Sequence, residues 1–198
     1  QAAGAGAVSL QADGNITLSD VGNYFSGPIT VVGTNGGDAN LFNTTATVIG
    51  GAQTAGGTYT LVSGGAISQT GGVNVGDLTL TAAGSITMND PSNFAGDVSL
   101  TTTGGGSATY YEVGATVLKN VTVAGNLTVM ADSGSLSQAA GGSLNVTGTI
   151  DLTATTGGAI TLSEANSFGG TATITAAAGL DITALQTVSA GSFVANAG

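Results

Sequence analysis

A short phrase that recurs three times along the chain constrains the fold more than any other feature. It reads ITLSDVGNYFSG from Ile16, ITMNDPSNFAG from Ile86 and ITLSEANSFGG from Ile160. A shorter motif, apolar-polar-apolar before a turn, recurs at uneven steps of roughly 20 to 30 residues, which is typical of a solenoid. Its copies are Val8-Ser9-Leu10, Ile29-Thr30-Val31, Tyr59-Thr60-Leu61, Leu78-Thr79-Leu80, Val98-Ser99-Leu100, Leu127-Thr128-Val129, Ile150-Asp151-Leu152 and Ala172-Thr173-Ile174.

The pattern within one unit predicts strands. Apolar and polar residues alternate over short stretches that are separated by turn residues, which is the period of a half-buried strand. Three short strands and three corners fit in each unit, so we predict an all-β fold, a parallel β-helix of eight or nine coils. We expect a single shaft over residues 1–198 with three-coil super-repeats at about 8–77, 78–148 and 149–198, the last one incomplete.

The super-repeat predicts which residues are equivalent. Ile16, Ile86 and Ile160 are expected to share one strand and to point inward, and Phe25, Phe94 and Phe168 to follow at the next corner or strand, one residue late in the first copy. The two longest steps of the shorter motif match each other and predict an extra arm in every third coil. This alignment pairs Gly36-Gly37 with Gly105-Gly106.

Composition excludes several classes of function. The 198 residues include 35 Gly, two Pro and neither Cys nor His, while 41% are hydrophobic and 6% charged, which favours a folded chain of strands with nearly no helix. The formal net charge is −10 and Lys119 is the only cation, so nucleic acid and anionic membrane surfaces are poor partners. No apolar run is long enough to insert into a membrane.

The acidic residues give no clear catalytic or metal site. Asp20, Asp90 and Glu164 are expected at one corner, roughly 14 Å apart, which is too far to share a cation and favours solvated corners. Asp77 and Asp97 come closest to a pair on adjacent coils and are interpreted as residues that start strands. Lys119 is the only candidate base for a lyase, so we predict no enzyme, no metal and no cofactor, with a carbohydrate-active β-helix enzyme as the open alternative.

Two further motifs leave alternatives open. The Thr-x-Thr pattern of ice-binding solenoids occurs at Thr58-Tyr59-Thr60, Thr79-Leu80-Thr81, Thr153-Ala154-Thr155 and Thr171-Ala172-Thr173, but ordinary strand threonines explain it too. Five Asn-x-Thr sequons could accept glycans on an exported protein, although Asn at a turn before a strand produces the same pattern. They are Asn15, Asn43, Asn120, Asn126 and Asn145.

The least generic residues suggest a contact surface. Leu41-Phe42 and Tyr110-Tyr111 occupy matching places, and neighbours on an alternating strand cannot both point inward. One residue of each pair is therefore expected to project toward carbohydrate, a protein partner or a neighbouring rod. Glu112 and Lys119 lie close by in the sequence and complete this candidate surface.

The strings GGAISQTGGVNVGDLTLTAAGSITMND and DSGSLSQAAGGSLNVTGTIDLTATTGGAITL resemble the repeat region of filamentous haemagglutinin-like exoproteins of bacterial two-partner secretion. The resemblance implies a right-handed parallel β-helix shaft, export through an outer-membrane transporter, and an adhesive or filament-building role outside the cell or at its surface. It implies a host-surface receptor or carbohydrate as partner. The terminal segments lack polar caps, so we expect the shaft to continue into a longer chain or to associate with copies of itself, end to end or laterally.

Overall fold

The structure, a computed structural model, describes residues 6–33, 35–183, 186–189 and 191–198. These residues form 21 strands, and all the strand pairs that connect them are parallel. The chain winds through about nine turns, and no helix occurs within the described ranges. The predicted parallel β-helix is confirmed, with a length of about 40 Å from the spacing of stacked strands. The part of the chain that the structure describes holds no helix of the length and hydrophobicity that crossing a bilayer requires.

The strands stack into three faces of a prism. The first face holds β1 (Val8–Ala12), β3 (Ile29–Gly33), the first halves of β6 (Gln53–Ser63), β8 (Val73–Ala82), β12 (Thr116–Val123) and β14 (Leu136–Val146), then β16 (Ile160–Leu162) and β19 (Leu180–Ile182). The second face holds β2 (Ile16–Leu18), β4 (Ala39–Asn43), the second halves of β6, β8, β12 and β14, with β10 (Asp97–Thr102), β17 (Asn166–Phe168) and β20 (Gln186–Val188). The third face holds β5 (Thr47–Ile49), β7 (Ile67–Gln69), β9 (Ile86–Met88), β11 (Ala108–Glu112), β13 (Leu127–Ala131), β15 (Ile150–Ala154), β18 (Ala172–Ala176) and β21 (Phe193–Ala197).

Alternation along each strand builds the core. In β4 and β10, and within each half of β6 and β8, every second residue is buried and rests on its counterpart in the next coil. One such inward row runs through Leu41, Leu61, Leu80 and Leu100, all fully buried. A fully buried leucine side chain contributes about 1.5 to 3 kcal/mol, so these rows hold the coils together.

The long repeat spans three and a third turns, so the predicted equivalence of strands was wrong. Ile16 lies on the second face, Ile86 on the third and Ile160 on the first. Each interval passes ten face positions at three per turn. The copies are thus rotated by about a third of a turn, and the repeated phrase returns on the next face, not on the same strand.

Over the described residues of the two long units the chain forms no extra arm, which corrects a second expectation. Val31 lies on the first face and Leu61 on the second, so the segment between them covers four faces where the other steps cover three. Leu100 and Val129 lie on the second and third faces and show the same step. The additional residues form one more side of the prism.

The paired glycines occupy the same turn in two copies, as the alignment predicts. Gly36 and Gly105 have φ of 77° and 79°, a conformation that disfavours residues with a Cβ. A Cβ on Gly37 would lie 2.3 Å from the Gly14 carbonyl oxygen, and one on Gly106 would lie 2.3 Å from that of Gly84. The first glycine reverses the chain and the second lets the coils approach.

Phe94 does not match Phe25 and Phe168, in contrast to the prediction that all three are equivalent. Phe25 and Phe168 are buried, but Phe94 is 54% exposed. The asparagines fix the alignment, because Asn23 Nδ2 donates to Leu18 O at 2.8 Å and Asn93 Nδ2 donates to Met88 O at 3.3 Å, each five residues back. The inward counterpart of Phe25 is therefore the small Ala95, and the outward counterpart of Phe94 is Tyr24.

Candidate functional site

The predicted contact residues divide between the core and the surface. Leu41, Tyr110 and Glu112 are fully or almost fully buried, so they cannot contact a partner. Phe42 and Tyr111 point outward and are partly exposed, as the alternation predicts for one residue of each pair. They lie on the second and third faces respectively, since the repeat rotates, and do not form one patch.

A shallow polar groove of about 350 Å³ runs across four coils along the edge between the first and second faces. Hydroxyl, amide, carboxylate and ammonium groups all line it. The lining residues are Thr58, Asp77, Thr79, Asp97, Ser99, Thr101, Lys119 and Asn120. We call this feature the polar groove.

An irregularity in β12 turns two neighbouring side chains into the polar groove. Val98 pairs with Leu118 and Leu100 with Val121, so β12 has one more residue than β10 over this stretch. Such a bulge breaks the alternation, and the consecutive residues Lys119 and Asn120 are both exposed. The groove therefore depends on local backbone geometry that the alternating pattern does not reveal.

The charges in the polar groove are paired across adjacent coils. Lys119 Nζ donates to Asp97 Oδ2 at 2.8 Å, and the N–H of Asp97 donates to Asp77 Oδ1 at 2.9 Å. The two side chains of the ion pair are 45% and 31% exposed. The hydrogen bond and charge of Asp97, with a smaller effect of Asp77, raise the pKa of Lys119 above its usual value.

This arrangement suits binding better than proton transfer. Because Asp97 keeps Lys119 protonated, the ammonium is a poor general base near neutral pH. Asp77 Oδ1 is engaged by the main chain of the next coil. Asp97 begins β10, as expected, whereas Asp77 lies inside β8 and does not start a strand. Carboxylate acceptors beside ammonium, amide and hydroxyl donors match a ligand that carries many hydroxyl groups. The sequence signal for the two acids was their equal placement, one residue ahead of two adjacent strand motifs.

The three acids of the repeated phrase were expected to share one corner, and this expectation was wrong. Asp20, Asp90 and Glu164 follow strands on three different faces, because the phrase rotates with the repeat. Asp20 Oδ1 accepts the N–H of Gly22 at 2.7 Å and Asp90 Oδ1 that of Ser92 at 2.8 Å, so both close their own turns. Within the described ranges no three acidic side chains come together as a metal site would require.

The Thr-x-Thr motifs do not stack on one another. Thr60, the last residue of its motif, pairs with Thr79, the first residue of the next motif, so the two motifs are displaced by two residues along the second face. On the third face, Thr153 pairs with Thr175 and Thr173 with Asp151. These four motifs thus do not build a regular two-rank threonine array.

The sequon asparagines differ in access. Asn43 is fully buried, so its side chain cannot accept a glycan in the folded rod, because it lies at an inward position at the end of β4. Asn15 and Asn126 are exposed but cap the next coil, since their Oδ1 atoms each accept a main-chain N–H at 2.9 Å. Asn120 and Asn145 are exposed, and Asn120 belongs to the polar groove.

Comparisons with known proteins agree with the repeat architecture. A model of a repeat family matches residues 1–32, 36–101 and 105–175. The second and third matched segments begin at Gly36 and Gly105, the equivalent glycine turns described above. No curated protein and no solved structure matches the chain. With most of its length covered by that model, the chain belongs to the family described as Repeats of unknown function (DUF5649).

Proposed function

We propose that the chain is a non-enzymatic structural shaft of a bacterial adhesin or extracellular filament, secreted or exposed at the cell surface. The observation that carries this proposal is the continuous stacking of coils over the described residues. Each turn uses its residues for three faces and short corners, and each inward row rests on the next. A rod of this kind holds whatever it bears at a fixed distance from its base.

Attachment is assigned to outward side chains of the rod. The polar groove offers acceptors and donors for carbohydrate hydroxyl groups, and Phe42 and Tyr111 offer apolar surface for a host receptor or a neighbouring rod. Self-association, end to end or lateral, would extend the shaft. Export through an outer-membrane transporter is part of this proposal and is supported by the resemblance to filamentous haemagglutinin-like repeats.

Adhesion measurements test the proposal. Beads coated with the chain are expected to be retained on surfaces that carry neutral polysaccharides. Lys119→Ala with Asp97→Asn should reduce retention several-fold, while Asp151→Asn, an exposed acid on the third face, should leave it unchanged. If the groove variant and the Asp151→Asn control are retained equally well, the polar groove is removed from the proposal. If the beads are retained on none of the polysaccharides and the chain does not assemble in sedimentation, the adhesive role itself is removed.

A carbohydrate-active enzyme is the second candidate, since one observation favours it. Two acids and the only lysine of the chain meet in the polar groove, across three adjacent coils. Incubation with polyuronates and neutral polysaccharides decides between the two functions. Cleavage is measured by the release of reducing ends and by the ultraviolet absorbance of unsaturated products. We expect no chain cleavage; cleavage that Asp97→Asn abolishes would establish the enzyme.

A further inference from the structure

Two equivalent corners of the rod contain buried polar side chains that differ in chemistry. Asn43 ends β4 and Glu112 ends β11, and both side chains are fully buried. Each is followed four residues later by a buried threonine, Thr47 or Thr116, that begins the next strand. The two positions are related by the repeat, so the first corner shows what the second one accommodates.

Asn43 satisfies its corner as both acceptor and donor. Its Oδ1 accepts the N–H of Phe25 at 2.9 Å. Its Nδ2 donates to Phe25 O at 3.0 Å and to Thr47 Oγ1 at 3.1 Å. A neutral amide thus meets both the main chain of the preceding coil and the following threonine.

Glu112 places a carboxyl group at the same corner and repeats two of these contacts. Its Oε1 accepts the N–H of Ala95, the counterpart of Phe25, at 2.9 Å. Its Oε2 lies 3.0 Å from Thr116 Oγ1, where the donor Nδ2 of Asn43 faces Thr47, and the Tyr110 hydroxyl donates to Oε2 at 3.1 Å. A proton on Oε2 would therefore occupy the place of an amide hydrogen in the first copy.

Among the residues that the structure describes, no cation faces Glu112. The ammonium of Lys119 lies on Asp97, and Asp90 holds the Ser92 N–H at its own turn. From the next coil, Asp132 donates its N–H to Glu112 O, and its carboxylate accepts from Thr155. The Tyr110 hydroxyl stays protonated, because burial and the neighbouring Glu112 raise its pKa. An ionised Glu112 would be a buried charge with hydrogen bonds but no counterion, which is costly.

We propose that Glu112 is a neutral carboxylic acid in the folded rod, that its proton is donated from Oε2 to Thr116 Oγ1, and that its ionisation loosens the corner between β11 and β12. The rod then carries a pH-responsive point in its second repeat that the first repeat, with Asn43, lacks. This inference does not depend on the adhesive role.

The sign of the pH effect follows from proton linkage. Burial raises the pKa of Glu112, and the hydrogen bonds that Ala95, Thr116 and Tyr110 would donate to the ionised carboxylate only partly oppose this. The folded state therefore binds the proton more tightly than the unfolded chain, in which a glutamate titrates near about 4.3. Stability from this group is fully present below that value and is lost as the pH rises through the higher folded value.

Urea unfolding of wild type and Glu112→Gln over a series of pH values tests the proposal. The glutamine is neutral at every pH, and comparing the two proteins cancels most of the repulsion within a chain of net charge −10. We expect the urea midpoint of the wild type to fall relative to that of the variant as the pH rises above the pKa of a free glutamate. The difference should then level off at higher pH. Parallel midpoints across the whole range would overturn the proposal.

A transplant and a direct measurement complete the test. Asn43→Asp should give the first repeat a similar loss of stability with rising pH, in addition to that of Glu112. If Glu112→Gln does not fold, a carbon-13 titration of the glutamate carboxyls in the wild type decides. A Glu112 resonance that titrates with a pKa clearly above the value of a free glutamate, about 4.3, supports the neutral acid, and one that titrates at that value or below it refutes it.

Discussion

The corners that end β4 and β11 have the same backbone and different chemistry. In the first, Leu41 and Asn43 point inward, and in the second Tyr110 and Glu112 occupy the matching positions. The stacking of apolar rows above and below fixes the path of the chain in both. The identity of the buried polar group is then free to change, as long as its hydrogen bonds are satisfied. The difference teaches that an acid can enter this core where a tyrosine and a threonine hydroxyl meet it.

The largest difference is expected when either corner loses its polar side chain. Glu112→Ala leaves the Ala95 N–H and the hydroxyls of Tyr110 and Thr116 without their partner, at a cost of about 3 to 5 kcal/mol in the free energy of unfolding. Asn43→Ala should cost a similar amount, because its main-chain and Thr47 contacts are lost. Urea unfolding at a single acidic pH measures both. A loss below about 1 kcal/mol in either would show that water replaces these bonds.

The two buried tyrosines give a smaller and opposite pair of effects. The Tyr110 hydroxyl donates to Glu112, whereas among the described side chains the Tyr59 hydroxyl is buried without a hydrogen-bond partner. Tyr110→Phe should lower the free energy of unfolding by about 1 kcal/mol, and Tyr59→Phe should leave it equal or raise it. Thermal melts of the two variants compare them directly. Equal losses would contradict the hydrogen bond assigned to Tyr110.

The smallest effect on stability is expected in the polar groove. The ion pair of Lys119 and Asp97 is substantially exposed, so solvent screens it and Lys119→Ala should change the free energy of unfolding by less than about 1 kcal/mol. The same melts serve as the measurement. A large loss of stability would mean that the ion pair supports the bulge in β12. Reduced retention of a variant that lacks Lys119 would then reflect a loss of folding and not a loss of ligand contacts.

The coil architecture could be predicted from the sequence, but the face of the prism on which each copy of the repeat begins could not. Alternation of apolar and polar residues places Leu61, Leu80 and Leu100 inward with no knowledge of the structure. The length of the repeat gives no sign of whether it spans nine or ten faces, because corners vary in length. Only the pairing of Val31 and Leu61 with their true neighbours resolves this.

The site was predictable only in part, for physical reasons. Alternation predicts that one residue of each aromatic pair points outward, but it does not say which, and Tyr110 is the inward one. Glutamate is almost never fully buried without a partner, so the sequence pattern indicates an exposed Glu112. The bulge that exposes both Lys119 and Asn120 comes from one additional residue in β12, which appears only when the strands are paired.

The rotation of the repeat is tested most directly by cysteine cross-linking in a chain that has no native cysteine. Thr101 pairs with Thr122 in the next coil, whereas a same-face repeat with an inserted arm would place Thr101 beside Met130. Adjacent strands bring such pairs within the distance that a disulfide spans. We predict that Thr101→Cys with Thr122→Cys forms a disulfide under mild oxidation and that Thr101→Cys with Met130→Cys does not. The reverse result would contradict a repeat of three and a third turns.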